Sequence, residues 1–193
     1  MKRAKEILVI VICIALIVGG YFYLVHSSNK RGVENTKDLT EVEKVLTKDL
    51  SKNYPKTPRE VITYYNRILG CLYNEECTDE QFEKLAEQMR LLMDEELLEQ
   101  NPDEDFINNL KQDVAAYAQA EKKIATTTVS DSADVEFKKI KGRECAYVSS
   151  SYFVKEGTGG FSLSTQRYVL RKDSDDQWKI LAFTLVKGDD TDE

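Results

Sequence analysis

The side chains that carry most enzymatic chemistry are scarce in this chain. Its single histidine, His26, follows an oily N-terminal run and lies outside every patterned segment. Serine and cysteine nucleophiles elsewhere therefore lack an imidazole base, which removes Ser-His-Asp and Cys-His catalysis. Histidine-ligated zinc goes with it, and there is no Cys-x-x-Cys pair, so the residue patterns name no catalytic residue, metal or other cofactor. Gly157-Thr158-Gly159-Gly160 is glycine-rich, but it separates two strand patterns and reads as a turn rather than a phosphate cradle. Cys71 and Cys77 flank a short loop between two helical patterns. Oxidised, they would close a seven-residue loop worth about 2.4 kcal/mol in the chain-entropy model. Reduced, they are two free thiols, and spacing alone leaves both states open because it does not fix the Cα separation. Cys145 alternates with Tyr147 in a strand pattern and reads as a small buried apolar residue.

Residues 7–25 form an uncharged, mostly apolar stretch behind Lys2, Arg3 and Lys5. As a helix this stretch is about 28 Å long, close to the hydrocarbon thickness of a bilayer. The expectation is a single transmembrane helix with residues 1–6 cytoplasmic and the rest of the chain extracytoplasmic, at the cell membrane. A cleaved signal peptide is the alternative, although its apolar region would be shorter and no A-x-A site follows. Beyond Val25 there are 24 basic and 33 acidic side chains, a net of −9. Nucleic acid and anionic lipid headgroups, which need a positive surface, are disfavoured as partners.

Residues 27–38 are polar and read as a tether, so that 26–56 is expected to be a tether carrying one short amphipathic helix. That helix, over 40–52, is announced by the capping box Thr40-x-x-Glu43 and by Val42, Val45, Leu46 and Leu50 at helical spacing. Thr57 with Pro58 opens a second helix, whose apolar stripe is Val61, Tyr65, Ile68 and Leu72. Thr78-x-x-Gln81 opens a third, expected to run to about Gln100 before Asn101-Pro102 stops it. A fourth follows Asp103, Glu104 and Asp105, acidic residues suited to the positive helix end.

From about residue 124 the apolar period falls from 3.6 to 2. Strands are expected over 144–155, 160–172 and 177–186, with a weaker one over 133–141. Short turns between them require antiparallel neighbours. The fold class is therefore α+β: an N-terminal transmembrane helix, then helices packed on a curved antiparallel sheet over 57–187, with an acidic tail at 188–193. In the last strand Trp178, Ile180 and Ala182 alternate with Leu181, Phe183 and Leu185, which predicts apolar residues on both faces. Either a second copy or a protein partner covers the outer face, or the helix that follows the tether does.

This order of elements resembles the cone fold of the nuclear-transport-factor-two-like superfamily, which includes ketosteroid isomerases and polyketide cyclases. The resemblance rests on the opening Thr57-Pro-Arg-Glu-Val-Ile-Thr-Tyr-Tyr-Asn66 and the closing Arg167-Tyr-Val-Leu-Arg-Lys-Asp-Ser-Asp-Asp-Gln-Trp-Lys-Ile-Leu181, and it covers roughly 57–187. The short hairpin usual between the superfamily's second and third helices is not visible here. Residues 39–100 also look similar to an uncharacterised group of small membrane-anchored bacterial proteins. Enzymes of the superfamily place a base and a Tyr or protonated Asp donor inside the cone, which makes Tyr65, Tyr117, Tyr147, Tyr152 and Asp113 the pocket candidates. Each also reads as ordinary packing with a polar tip at the rim. The leading expectation is a non-catalytic binding or interaction module. The alternatives are an assembly subunit of an envelope, secretion or conjugation complex, and a small isomerase- or cyclase-like enzyme.

Overall fold

Three threonines set where the helices begin. The computed structural model describes residues 39–186, in which everything from Thr40 belongs to one unit. Thr40 caps α1 (Glu41–Leu46) and Thr78 caps α3 (Asp79–Leu91), each through a reciprocal capping box; Thr57 caps α2 (Pro58–Asn74) by accepting from the Glu60 amide. The transmembrane segment expected at 7–25, the tether at 27–38 and the tail at 188–193 lie outside the described residues. Among the described residues no helix is long and apolar enough to cross a membrane.

Residues 40–56 do not behave as a tether. Val42, Val45 and Leu50 enter the main core, and the Tyr54 hydroxyl donates to the Trp178 carbonyl at 2.8 Å. α1 is shorter than its apolar spacing predicts, because Asp49 turns the chain by accepting from the Ser51 amide. α1 packs on α2 and α3, so it does not cover the outer face of the sheet.

The expected single helix over 79–100 is broken. The chain leaves the helix at Leu92, whose carbonyl accepts from the Ile180 amide, and the Asp94 amide donates back to the Ile180 carbonyl, both at 2.8 Å. This one-residue parallel bridge between Met93 and Ile180 satisfies part of an open sheet edge. Asp94 then caps α4 (Glu95–Gln100). α5 (Asp103–Gln119) follows Pro102 with three acidic residues in its first turn.

The strands are β1 (Lys122–Val129), β2 (Glu136–Ile140), β3 (Arg143–Glu156), β4 (Gly160–Lys172) and β5 (Trp178–Val186), all paired antiparallel. β1 and β2 both pair with β3, which continues through β4 to β5. Lys141 and Gly142, both at positive φ, make the two-residue turn between β2 and β3. The apolar residues of β1 are Ile124, Ala125 and Val129, which do not alternate at strand spacing, so its pattern alone does not announce it.

The register corrects the expected faces of β5. Val169 pairs with Ala182 but Leu170 pairs with Ile180, so Leu181 is an extra, bulged residue. Past the bulge the alternation resets. Phe183 comes opposite the fully buried Tyr168 and Leu185 opposite Gln166, on the same inner face as Ile180 rather than the opposite one. α2 lies across that inner face and touches β1, β3 and β5, while α3 packs on α2 and α5 reaches from α2 to β1. Val61, Ile62, Ile68 and Leu72 of α2 are fully buried there, each contributing on the order of 1.5–3 kcal/mol.

Candidate functional site

The inner face and its helices do not close on one another completely. They leave a cavity of about 430 Å³. Its walls come from α2 (Tyr65, Leu69, Tyr73), α3 (Met89), the end of α4 (Asn101), α5 (Phe106, Asn109, Leu110, Asp113, Tyr117), β1 (Ile124) and the inner positions of β3 to β5 (Tyr152, Val154, Ser164, Gln166, Tyr168, Phe183). Aromatic rings dominate. Tyr65 meets Tyr168 edge-on at 5.8 Å between centroids, Tyr73 meets Tyr117 edge-on at 4.9 Å, and Phe183 lies 5.7 Å from Tyr168. Among the described lining residues there is no Lys, Arg or His.

Four of the five residues expected in the pocket line it: Tyr65, Tyr117, Tyr152 and Asp113. Tyr147 does not. It is five residues from Tyr152 on one continuous strand, so the pleat sends it to the outer face, where Lys138 and Arg167 sit over its ring at 4.9 Å. Cys71 and Cys77 are both free thiols, with the Cys77 sulfur turned to the Cys71 carbonyl at 3.7 Å. Burial pushes the Cys71 thiol up to about 11. Cys145 is buried, as its alternation predicts.

One polar chain runs from behind the cavity to its wall. The Asn66 amide donates to Ser150 at 2.8 Å, and the Tyr152 hydroxyl donates to Asn66 Oδ1 at 2.7 Å. The Tyr152 and Tyr168 hydroxyls bond to each other, and Tyr168 donates to Gln166 Oε1 at 2.7 Å. Asn66, Ser150, Tyr152 and Tyr168 are all buried, and such groups are costly unless satisfied. The sequence reading missed Asn66, Ser150, Gln166 and Tyr168. The available signal was parity: Ser150 and Gln166 occupy inward positions that a strand with a buried face fills with apolar side chains, and Asn66 follows Ile62 by one helical turn. A second side-chain amide, Asn74, brackets Ile124 by donating to its carbonyl and accepting from its amide, both at 2.9 Å. That clamp fixes the end of α2 to β1 beside the bulge that follows Ile124.

The electrostatics favour neutral groups. Burial is the largest cause raising the phenols of Tyr65, Tyr73, Tyr117, Tyr152 and Tyr168 above the ordinary tyrosine value, with Tyr73 reaching about 12. All stay protonated near neutral pH, where they give and accept hydrogen bonds but do not serve as bases. Asp113, the one carboxylate of the wall, is on an exposed turn of α5 at the mouth, and its charge adds to the rise of Tyr73. It is not the buried carboxylate beside a tyrosine that proton abstraction needs. Among the described residues no cluster of His, Cys, Asp and Glu is placed to hold a metal ion.

Residues 1–183 match the model of a family described as Domain of unknown function (DUF6715). No curated protein matches the chain.

Proposed function

We propose, for a chain that belongs to the DUF6715 family, a non-catalytic binding module that holds a small, largely apolar molecule between its helices and sheet. The observation that carries this reading is the cavity between helices and sheet, walled mainly by aromatic and aliphatic side chains, with Asp113 its one charged group. The order of helices and strands, and the way α2 crosses the concave side of the sheet, support placing the domain with the cone-fold superfamily. Residues 7–25, apolar and preceded by basic residues, support a single membrane span that presents the domain on the extracytoplasmic side. An isomerase- or cyclase-like activity is disfavoured because the cavity wall pairs no buried base with its tyrosines.

A second reading, assembly through the sheet, has its own support. On the outer face Phe153 stacks on Phe161 at 4.9 Å beside Leu163, and Phe161 and Leu163 are 60% and 68% exposed. These residues replace the ones that the β5 alternation had suggested, and they suit a second copy or an envelope partner.

The binding reading is tested with full-length protein and 1-aminoanthracene, a neutral fluorescent probe. One probe per chain is expected, with binding lost in Leu110→Trp, which fills the cavity, while circular dichroism stays native. Absence of saturable binding, or undiminished binding by the filled variant, refutes it. Protease added to intact cells tests the topology: a domain that stays protected excludes the extracytoplasmic placement.

A further inference from the structure

Proton counting along the buried polar chain narrows what the cavity accepts. With Asn66 Oδ1 and Gln166 Oε1 both facing hydroxyls, the two protons of Tyr152 and Tyr168 would have to serve three contacts. One contact would then bring oxygens together without a hydrogen, which a buried network does not tolerate. A half turn of either amide resolves the shortage.

If Gln166 turns, its amide nitrogen donates to Tyr168, Tyr168 to Tyr152, Tyr152 to Asn66, and Asn66 to Ser150. The Gln166 oxygen is then left facing the cavity as an acceptor. If Asn66 turns instead, the direction reverses. Ser150 donates to Asn66, Asn66 to Tyr152, Tyr152 to Tyr168, and Tyr168 to the Gln166 oxygen, leaving the Gln166 amide nitrogen as a donor to the cavity. Turning neither amide leaves a contact without a proton, and turning both leaves one with two.

From this count, and building on the binding reading above, we infer that the cavity selects neutral, largely apolar molecules with a single hydroxyl or carbonyl group, docked at the Gln166 amide. The chain from Ser150 to Tyr168 sets itself to donate or accept as the bound group requires. A hydroxyl fits either setting. A carbonyl fits the one in which Gln166 donates. A carboxylate gains nothing, because no cation lines the wall and Asp113 at the mouth repels it.

The experiment uses full-length protein and four probes of one shape: naphthalene, 2-naphthol, 2-acetylnaphthalene and 2-naphthoate. Binding is read from the methyl resonances of Leu110 and Val154, both in the cavity wall. 2-Naphthol and 2-acetylnaphthalene should each bind roughly two- to tenfold more tightly than naphthalene, the worth of one neutral hydrogen bond, with 2-naphthoate weakest. In Gln166→Leu, and in Gln166→Met as a second variant of similar length, both advantages should vanish while naphthalene binding persists. Equal affinity of the wild-type protein for naphthalene and the polar neutral probes overturns the inference and leaves the apolar-cavity reading standing. A preference for 2-naphthoate, or an advantage that survives both substitutions, also overturns it. Failure of all four probes to bind overturns the inference and the binding reading together.

Discussion

Replacing Asp94 with alanine should be among the most destabilising single changes in the domain. The carboxylate is 2% exposed, takes Arg171 Nε at 3.0 Å and Nη2 at 2.5 Å, and caps α4 by accepting from the Glu96 amide at 3.0 Å. Arg171 is itself only 8% exposed, and its remaining partner is Glu96 at 2.7 Å, whose side chain is largely in solvent. Two losses add in Asp94→Ala. The missing cap costs about 1 kcal/mol. A buried guanidinium stripped of its main partner costs about 3–5 kcal/mol, and the low end applies because Glu96 stays. The sum is about 4 kcal/mol, a large share of the 5–15 kcal/mol that holds a typical domain. Removing both charges should relieve most of it. Asp94→Ala with Arg171→Met should lie within about 1–2 kcal/mol of wild type, since the cap alone is then missing. Urea unfolding followed by the fluorescence of Trp178, the only tryptophan and two residues from Ile180, measures both. An Asp94→Ala cost below about 1 kcal/mol, or a double variant no more stable than the single one, would refute the reasoning.

Other consequences are open to quick checks. In native protein an added thiol reagent should modify Cys77 well before Cys71 or Cys145, because the latter two are buried and burial holds the Cys71 thiol near 11; equal rates for Cys71 and Cys77 would contradict the packing. Tyr64 is 3% exposed and its phenol is raised to about 12, so the unfolded chain loses this proton first. The Tyr64 contribution to stability should be constant below pH 10 and then fall by up to about 1.4 kcal/mol per pH unit between pH 10 and 12. Denaturant midpoints measured at pH 9 and pH 11 test the sign, and a midpoint that rises with pH excludes it. If a second copy docks on the outer sheet face, Phe161→Ser with Leu163→Ser should convert a dimer to a monomer in sedimentation without changing circular dichroism; a wild-type monomer at every concentration rules that docking out.

The parts of this fold that were legible in the sequence are those decided within a few residues. Thr40, Thr57 and Thr78 mark helix starts because their side chains cap amides three residues on, and Lys141-Gly142 marks a turn because both residues adopt positive φ. What escaped depends on distant partners. The break after Leu91 exists because Leu92 and Asp94 bond to Ile180 and because Arg171, 77 residues from Asp94, needs a carboxylate. The bulge at Leu181 moved Phe183 and Leu185 to the inner face, and nothing local signals it. Tyr147 was a different kind of miss, since strand parity already separates it from Tyr152. Of the seven aromatic residues in the cavity wall, the sequence reading named three, Tyr65, Tyr117 and Tyr152, and it missed the polar chain, for which strand parity was the only signal. That chain pairs Asn66 on a helix with strand residues more than eighty positions away.

The most direct measurement for the binding account is a set of intermolecular nuclear Overhauser contacts from bound 1-aminoanthracene to the protein's methyl groups. The account predicts contacts to Leu69, Leu110, Ile124 and Val154, which surround the cavity on four different elements. Contacts confined to Leu163 and its neighbours on the outer sheet face would contradict it.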